Sequence, residues 1–209
     1  NHHAHLYGSS AEPRFYNALR EANLGLSWEE LTQRHESPFA LTVDAAVKQH
    51  LLMDIPREKI IMGVPFYGRA FFNVGGSNDG LYQSFNTAKG DPYVGDASLL
   101  YGCQPCEDRN EPRIATYKEI LDLKNGGWGY EYHFDEATKA VWLHHPIKNI
   151  FVTYEDTVSL QYKTDYIKNE GLGGAMFWHL GQDDAQFNML RTLHDELNGE
   201  AAGDISTVE

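Results

Sequence analysis

The chain has 209 residues and a formal net charge of −13, from 17 basic and 30 acidic residues. Nucleic-acid backbones and anionic membranes attract positive surfaces, so this charge argues against both as partners. The sequence contains no run of about 18 consecutive apolar residues, and it therefore predicts no membrane-spanning helix. With 42% hydrophobic and 22% charged residues, the composition is typical of a globular protein. A neutral ligand fits better, and aromatic residues, 12% of the chain, offer rings that can stack on it.

The N-terminal part of the chain predicts one clear helix. Residues 8–40 form an excursion of loop and short helix. Thr42 can cap the helix that follows, because its hydroxyl can accept a hydrogen bond from a backbone N–H of the first turn. That helix has an apolar residue at every fourth position, namely Val43, Val47 and Leu51. One of its sides is therefore predicted to be buried.

Two short apolar runs predict strands of a parallel sheet. The first lies in KIIMGVPFYGR, residues 59–69, and the second in LGGAMFW, residues 172–178. Both are too short for a buried helix and are typical of a strand covered on both faces. The interval between them, about residues 70–150, is rich in Gly, Tyr and turn signals. We expect an inserted α+β subdomain there.

Two further helices flank the second apolar run. The first ends near Gly171 and has a stripe made of Val158, Tyr162 and Tyr166. The second ends at Gly199 and has a stripe made of Phe187, Leu190, Leu193 and Leu197. Asp183 or Asp184 can cap this last helix. Adjacent carboxylates at a helix start are more often caps than a catalytic pair, so we assign them to capping.

The order of helix, strand, interruption, helix, strand and helix is typical of repeated βα units. A closed barrel of eight parallel strands takes about 250 residues before insertions. Only two barrel-type strands are clear in this sequence. The sequence therefore predicts an α/β protein that is either the C-terminal portion of such a barrel or a smaller open α/β domain.

Three stretches carry a family resemblance, namely KIIMGVPFYGRAF, GDPY followed by GCQPC, and GLGGAMFWHLGQDD. They resemble the family 18 glycoside hydrolases, and among these the exo-acting bacterial chitinases of the B type. The resemblance covers nearly the whole chain and implies the C-terminal part of a (β/α)8 TIM barrel, with an α+β insertion after the seventh strand. KIIMGVPFYGR would then be the seventh strand and GGAMFW the eighth. The implied domains are a barrel segment with a cleft-lining excursion at 1–69, the insertion at 70–150, a second barrel segment at 151–199 and a tail or linker at 200–209.

The resemblance implies a chitinase, which hydrolyses β-1,4 bonds between N-acetylglucosamine units and needs no cofactor. In this family the final Glu of a DxxDxDxE motif protonates the glycosidic oxygen, while the acetamido oxygen of the substrate attacks the anomeric carbon and configuration is retained. Neither this motif nor the MxYD motif of the sixth strand occurs in the sequence. The acid is therefore expected in an N-terminal part of the barrel, from the same or another chain, and the 209 residues alone are expected to be inactive.

A second function remains open, because a fold does not determine a function. The alternative is a non-catalytic relative that binds chitin or chitooligosaccharides. The resemblance also implies a secreted protein.

Trp178 is the principal candidate for substrate binding. It ends the second apolar run, at the rim where barrel enzymes build their sites, and the resemblance makes it the floor under the reacting sugar. A structural plug of the barrel is the other interpretation. Tyr67 and Arg69 alternate on one face around Gly68. Both can hydrogen-bond sugar hydroxyls, although they can also belong to a structural network.

Further substrate contacts follow from the resemblance. Asp91 of GDPY matches a residue that reaches over the cleft, although an Asp before Pro is also a common turn former. Tyr16 and Trp28 match exposed aromatic residues that extend the leaving-group side of the cleft. Gln182 is expected to contact sugar near Trp178.

The sequence predicts no metal site. Cys103 and Cys106 in GCQPC are too few for a zinc site, and His144 and His145 do not complete one. A local disulfide between the two cysteines is preferred over free thiols. The remaining candidate ligands are assigned to loop or surface, namely His2, His3 and His5.

Overall fold

The structure is a computed structural model that describes residues 5–9, 42–83 and 114–199. Its helices are α1 (Val43–Leu52), α2 (Tyr117–Asn125), α3 (Thr157–Glu170) and α4 (Asn188–Asn198). Its strands are β1 (Ile61–Pro65), β2 (Tyr67–Phe71), β3 (Ile114–Thr116), β4 (Glu131–Asp135), β5 (Ala140–His145), β6 (Ile150–Tyr154) and β7 (Gly174–Trp178). Short 3-10 turns cover Arg57–Lys59, Ser77–Gly80 and Leu180–Gln182.

The two predicted barrel strands pair with each other. β1 and β7 are parallel, in a register that runs from Ile61 opposite Gly174 to Pro65 opposite Trp178. The helix before β1 and the helix before β7 cover one face of this pair, where Met62 of β1 packs with buried residues of α1 and α3. This arrangement confirms the βα order that the sequence predicts, including the N-cap of α1, where Thr42 Oγ1 accepts a hydrogen bond from the Ala45 N–H at 3.1 Å.

The other face of the parallel pair is open among the described residues. Ile61, Met176 and Trp178 lie on this face and are 51%, 51% and 63% exposed. The prediction of strands buried on both faces is therefore wrong for the described part of the chain. In a closed barrel this face is the interior, because the helices form the outer ring.

The segment KIIMGVPFYGR forms two strands and not the single strand that the sequence predicts. β1 ends at Pro65, and after Phe66 the chain enters β2, which belongs to another sheet. Tyr67 and Arg69 therefore lie on β2 and not at the end of the barrel strand. The break has a physical cause, because Phe66 is fully buried and stacks on Phe177 with ring centroids 4.8 Å apart.

The inserted subdomain is an antiparallel sheet with one helix among the described residues. Its five strands have the order β3-β2-β6-β5-β4, and α2 packs on it through Ile120 and Leu123, both fully buried. β2 begins at Tyr67 and β6 ends at Tyr154. The α+β character predicted between the barrel segments is confirmed, while the domain limits at 69 and 150 stay predictions.

The helix α3 buries only part of the predicted stripe. Its C-cap is Gly171 as expected, with φ of 64°. Tyr166 of the stripe is buried at 6% exposure, but Val158 and Tyr162 are 41% and 37% exposed. The buried side includes Lys163, whose Nζ lies 2.6 Å from Glu155 Oε1. The spacing of apolar residues does not predict that this part of the helix is buried, because Lys163 is a charged residue that is paired with Glu155.

Two glycines allow β7 to approach the turn before β1. The Gly173 N–H donates to the Ile60 carbonyl at 3.0 Å, and a Cβ at Gly173 would lie 2.2 Å from the Glu58 carbonyl oxygen. Gly174 has φ of 137°, which side-chain-bearing residues rarely adopt. These positions explain why the strand opens with paired glycines.

We expect Gly173→Ala to destabilise the protein, because its Cβ would overlap a backbone atom that cannot turn away. Overpacking of this kind costs about 1–3 kcal/mol. Gly63→Ala on β1 is the matched control, since the nearest atom to its Cβ is Met176 Cε at an ordinary 3.5 Å. Urea unfolding of both variants measures the difference, and equal midpoints would contradict this packing.

Candidate functional site

Trp178 combines a fixed backbone with an exposed ring. It ends β7 opposite Pro65, and its carbonyl accepts a hydrogen bond from the Phe66 N–H at 2.8 Å. The peptide bond that joins it to His179 is cis. The side chain is 63% exposed among the described residues. An aromatic face is thus presented at the C-terminal end of the parallel pair, on the side away from the helices.

The turn after Trp178 is held by its own side chains. The Gln182 Oε1 accepts a hydrogen bond from the His179 N–H at 3.1 Å, and the His179 Nδ1 accepts one from the Gly181 N–H at 3.1 Å. Gln182 is 9% exposed. Its amide oxygen therefore positions the backbone beside Trp178, and its predicted contact with sugar stays a prediction.

Asp183 and Asp184 cap α4, as the sequence predicts. Asp183 Oδ2 accepts from the Leu190 N–H at 3.0 Å, and Asp184 Oδ1 accepts from the Asn188 N–H at 3.0 Å. Both carboxylates are buried at 6% exposure. Helix α4 begins at Asn188, so Phe187 precedes it and is 46% exposed, in contrast to its predicted place in the apolar stripe.

Tyr67 and Arg69 share one half-buried face of β2, and Arg69 Cζ lies 6.0 Å from the centre of the Tyr67 ring. Gly68 between them faces the core, where an added Cβ would lie 2.7 Å from the Thr153 carbonyl oxygen. Tyr67 follows Pro65, the register partner of Trp178, by two positions. The start of β2 is therefore joined to the strand end that carries Trp178.

A tyrosine cluster that the sequence did not indicate lies at the start of α3. Tyr132 donates its hydroxyl to Asp156 Oδ2 at 3.1 Å. Burial raises the pKa of Tyr132, Tyr154 and Tyr117 above the ordinary tyrosine value, and the Asp156 carboxylate raises it further. These phenols stay protonated near neutral pH, and that of Tyr132 donates its hydrogen bond to Asp156.

Three possible metal ligands also come together, in the inserted sheet. Asp79, His133 and His144 each offer a ligand atom, and these atoms lie within 4.8 Å of one another. Burial lowers the pKa of His144, so its ring is neutral near pH 7. Sequence reasoning missed this cluster because its members come from separate elements and follow no ligand spacing.

Several predicted residues lie outside the described part of the chain. They are Tyr16, Trp28, Asp91 and the cysteines Cys103 and Cys106. Their assignments stay predictions. In the part of the chain that the structure describes, no helix combines the length and the apolar character needed to cross a bilayer.

The chain belongs to the glycosyl hydrolases family 18, whose family model matches residues 5–183. It is 51% identical over 199 residues to Chitinase B of Serratia marcescens, a match that covers 95% of this chain and 40% of that protein. The chain thus spans less than half the length of this relative. The match confirms the family predicted from KIIMGVPFYGRAF, GDPY followed by GCQPC, and GLGGAMFWHLGQDD.

Solved structures of the same class support the fold. A chitinase from Bacillus thuringiensis is similar with a TM-score of 0.69 at 26% identity, over 99% of this chain and 30% of that one. Catalytic domain 2 of a group II chitinase from Ostrinia furnacalis, described as a complex with penta-N-acetylchitooctaose, has a TM-score of 0.67 at 21% identity, over 97% of this chain and 44% of that one. The fold is the C-terminal part of a (β/α)8 barrel with an α+β insertion.

We expect Gln182→Leu to lower the free energy of unfolding by about 0.5–1.5 kcal/mol, because the partly buried His179 N–H loses its hydrogen-bond acceptor. Gln186→Leu is the matched control, since it makes the same change at an exposed side chain four positions away and should cost less than about 0.5 kcal/mol. Chemical denaturation compares the two variants. If both have the stability of the parent protein, Gln182 does not hold this turn.

Proposed function

We propose that this chain forms part of a chitinase that hydrolyses β-1,4 bonds between N-acetylglucosamine units with retention of configuration. The observation that carries the proposal is the exposed indole of Trp178 at the C-terminal end of a barrel strand, in a member of the glycosyl hydrolases family 18. The similarity to Chitinase B of Serratia marcescens supports the same substrate class.

Trp178 is the proposed floor of the subsite for the reacting sugar. Its ring offers a flat apolar face to the C–H groups of the sugar, while its backbone is held by the Phe66 N–H. A fixed platform of this kind lowers the entropy lost when the acetamido oxygen approaches the anomeric carbon. The ring also limits water around the positive charge that develops in the transition state.

The other proposed roles follow the position of each residue. Tyr67 and Arg69 on β2 donate hydrogen bonds to sugar hydroxyls beside this floor. Asp91 covers the cleft, and Tyr16 and Trp28 extend it on the leaving-group side. The general acid is a Glu contributed by chain outside these 209 residues, because the DxxDxDxE pattern does not occur among them.

Chitin and chitooligosaccharides are the proposed partners. These ligands carry no net charge, in agreement with a protein of net charge −13 that is unsuited to polyanions. Chitin is an insoluble polymer that cannot cross a membrane, so we propose that the protein is secreted and acts outside the cell.

The proposal is tested with the complete product of the reading frame that encodes this chain, incubated with the N-acetylglucosamine hexamer. Proton NMR in the first minutes should show a new reducing end in the β configuration, before mutarotation. Hexamer binding without hydrolysis would support the non-catalytic alternative. If the protein neither binds nor hydrolyses the hexamer, both the chitinase proposal and the non-catalytic alternative are contradicted.

In that protein, we expect Trp178→Ala to lower kcat/KM on soluble chitooligosaccharides by at least roughly a hundredfold, which corresponds to about 3 kcal/mol of lost stabilisation for a truncated Trp. The melting temperature should change little, because Trp178 ends β7 at the mouth of the barrel and not in its packed interior. Trp178→Phe should recover part of the activity, since a phenyl ring still stacks on sugar.

Trp128→Ala is the matched control, because this Trp is also exposed, at 39%, but lies in the turn before β4. It should keep near-normal kcat/KM. A structural plug would give the opposite result for Trp178→Ala, with a large loss of thermal stability and near-normal turnover in the folded fraction.

A further inference from the structure

One face of the inserted sheet gathers side chains that can bind a metal. In the β4–β5 register, Glu131 lies opposite His144, and His133 lies opposite Trp142. Side chains alternate along a strand, and register partners point to the same side, so all four lie on one face. The turn Ser77–Gly80 covers this face and brings Asp79 to it.

The ligand atoms are close enough for one ion to be shared. His133 Nδ1 lies 3.6 Å from Asp79 Oδ2, and the ligand atoms of Asp79, His133 and His144 all lie within 4.8 Å of one another. Two ligands of a tetrahedral zinc ion, each at about 2.0–2.2 Å, lie roughly 3.5 Å apart. The His133–Asp79 pair has this spacing already, and a ligand atom of His144 lies within 4.8 Å of both.

His144 is the residue that most needs a partner. It is 2% exposed, and neither of its ring nitrogens has a hydrogen-bond partner among the described residues. A buried polar group without a partner costs free energy, which a metal bond would offset. The ring packs directly under the turn, since a Cβ at Gly80 would lie 3.1 Å from His144 Cδ2 and 3.4 Å from Nε2.

Other contacts hold the cluster in place. Trp142 Nε1 donates to the Asp79 carbonyl at 3.0 Å, which fixes the turn. The same indole stacks on the His133 ring, with centroids 5.0 Å apart and planes at 16°. Glu131 Oε2 lies 3.9 Å from His133 Nε2. This distance is too long for a hydrogen bond, but it places a carboxylate behind the imidazole, where a zinc-bound His is usually supported once the two groups close up.

We propose that Asp79, His133 and His144 form a zinc site, with Glu131 supporting His133. Two imidazoles and one carboxylate favour zinc over magnesium or calcium, which prefer oxygen ligands. The fourth position would be taken by water. The ion would tie the Ser77–Gly80 turn to the β4–β5 hairpin, and it would take no part in the proposed sugar hydrolysis.

The test is isothermal titration calorimetry, in which zinc chloride is added to the metal-free protein. Cys103 and Cys106 are replaced by Ser in every variant, to remove thiol ligands. We expect one zinc ion per chain and a higher melting temperature in its presence, since a ligand stabilises the state that binds it. Asp79→Asn and His133→Gln should each weaken binding by at least roughly tenfold. Asp79 has a half-exposed side chain, so its variant should fold.

Asp122→Asn and His194→Gln are the matched controls, because they make the same chemical changes at exposed positions outside the cluster. Both should bind zinc as the parent does. Absence of zinc binding in the parent would overturn the proposal. Equal binding in the parent, Asp79→Asn and His133→Gln would also overturn it, because the ion would then be held elsewhere.

Discussion

The position of Phe66 is the constraint on which the rest of the structure depends. Its N–H donates to the Trp178 carbonyl at 2.8 Å, and its carbonyl accepts from the Tyr117 N–H at 3.1 Å. One residue thus joins the end of β7 to the first turn of α2 in the inserted subdomain. Its ring is fully buried against Phe177, in one hydrophobic cluster that contains residues of the insertion and of the barrel segments. Moving Phe66 would move both the strand end that carries Trp178 and the start of β2.

Close approach of backbone segments explains why glycines occur near the candidate site. Gly173 fits against the Glu58 carbonyl, and Gly68 fits against the Thr153 carbonyl, at distances that exclude a Cβ. These glycines bring β7 to β1 and β2 to β6 without gaps. Close backbone packing on two sides therefore positions Trp178, and its ring remains available for a ligand.

Polar groups hold the parts that apolar packing does not reach. The turn after Trp178 depends on Gln182, and the start of α4 depends on Asp183 and Asp184. The buried pair of Lys163 and Glu155 sits inside the face of α3 that packs against the core. A buried pair is costly to break, because the remaining charge would be left without a partner. Such polar groups determine where the turn and the helices lie, in addition to stabilising them.

The sequence by itself determined the features that depend on local chemistry: the caps at Thr42 and Gly171, the two parallel strand runs, the α+β insertion and, through its motifs, the family. It did not reveal the break at Phe66 or the part of the buried side of α3 that contains Lys163. Both features depend on contacts with Phe177 and Glu155, and the spacing of apolar residues along the chain does not indicate such contacts. The same limit hid the cluster of Asp79, His133 and His144. Only the tertiary structure decided these features, because strand pairing and a covering turn bring together side chains that no sequence spacing links.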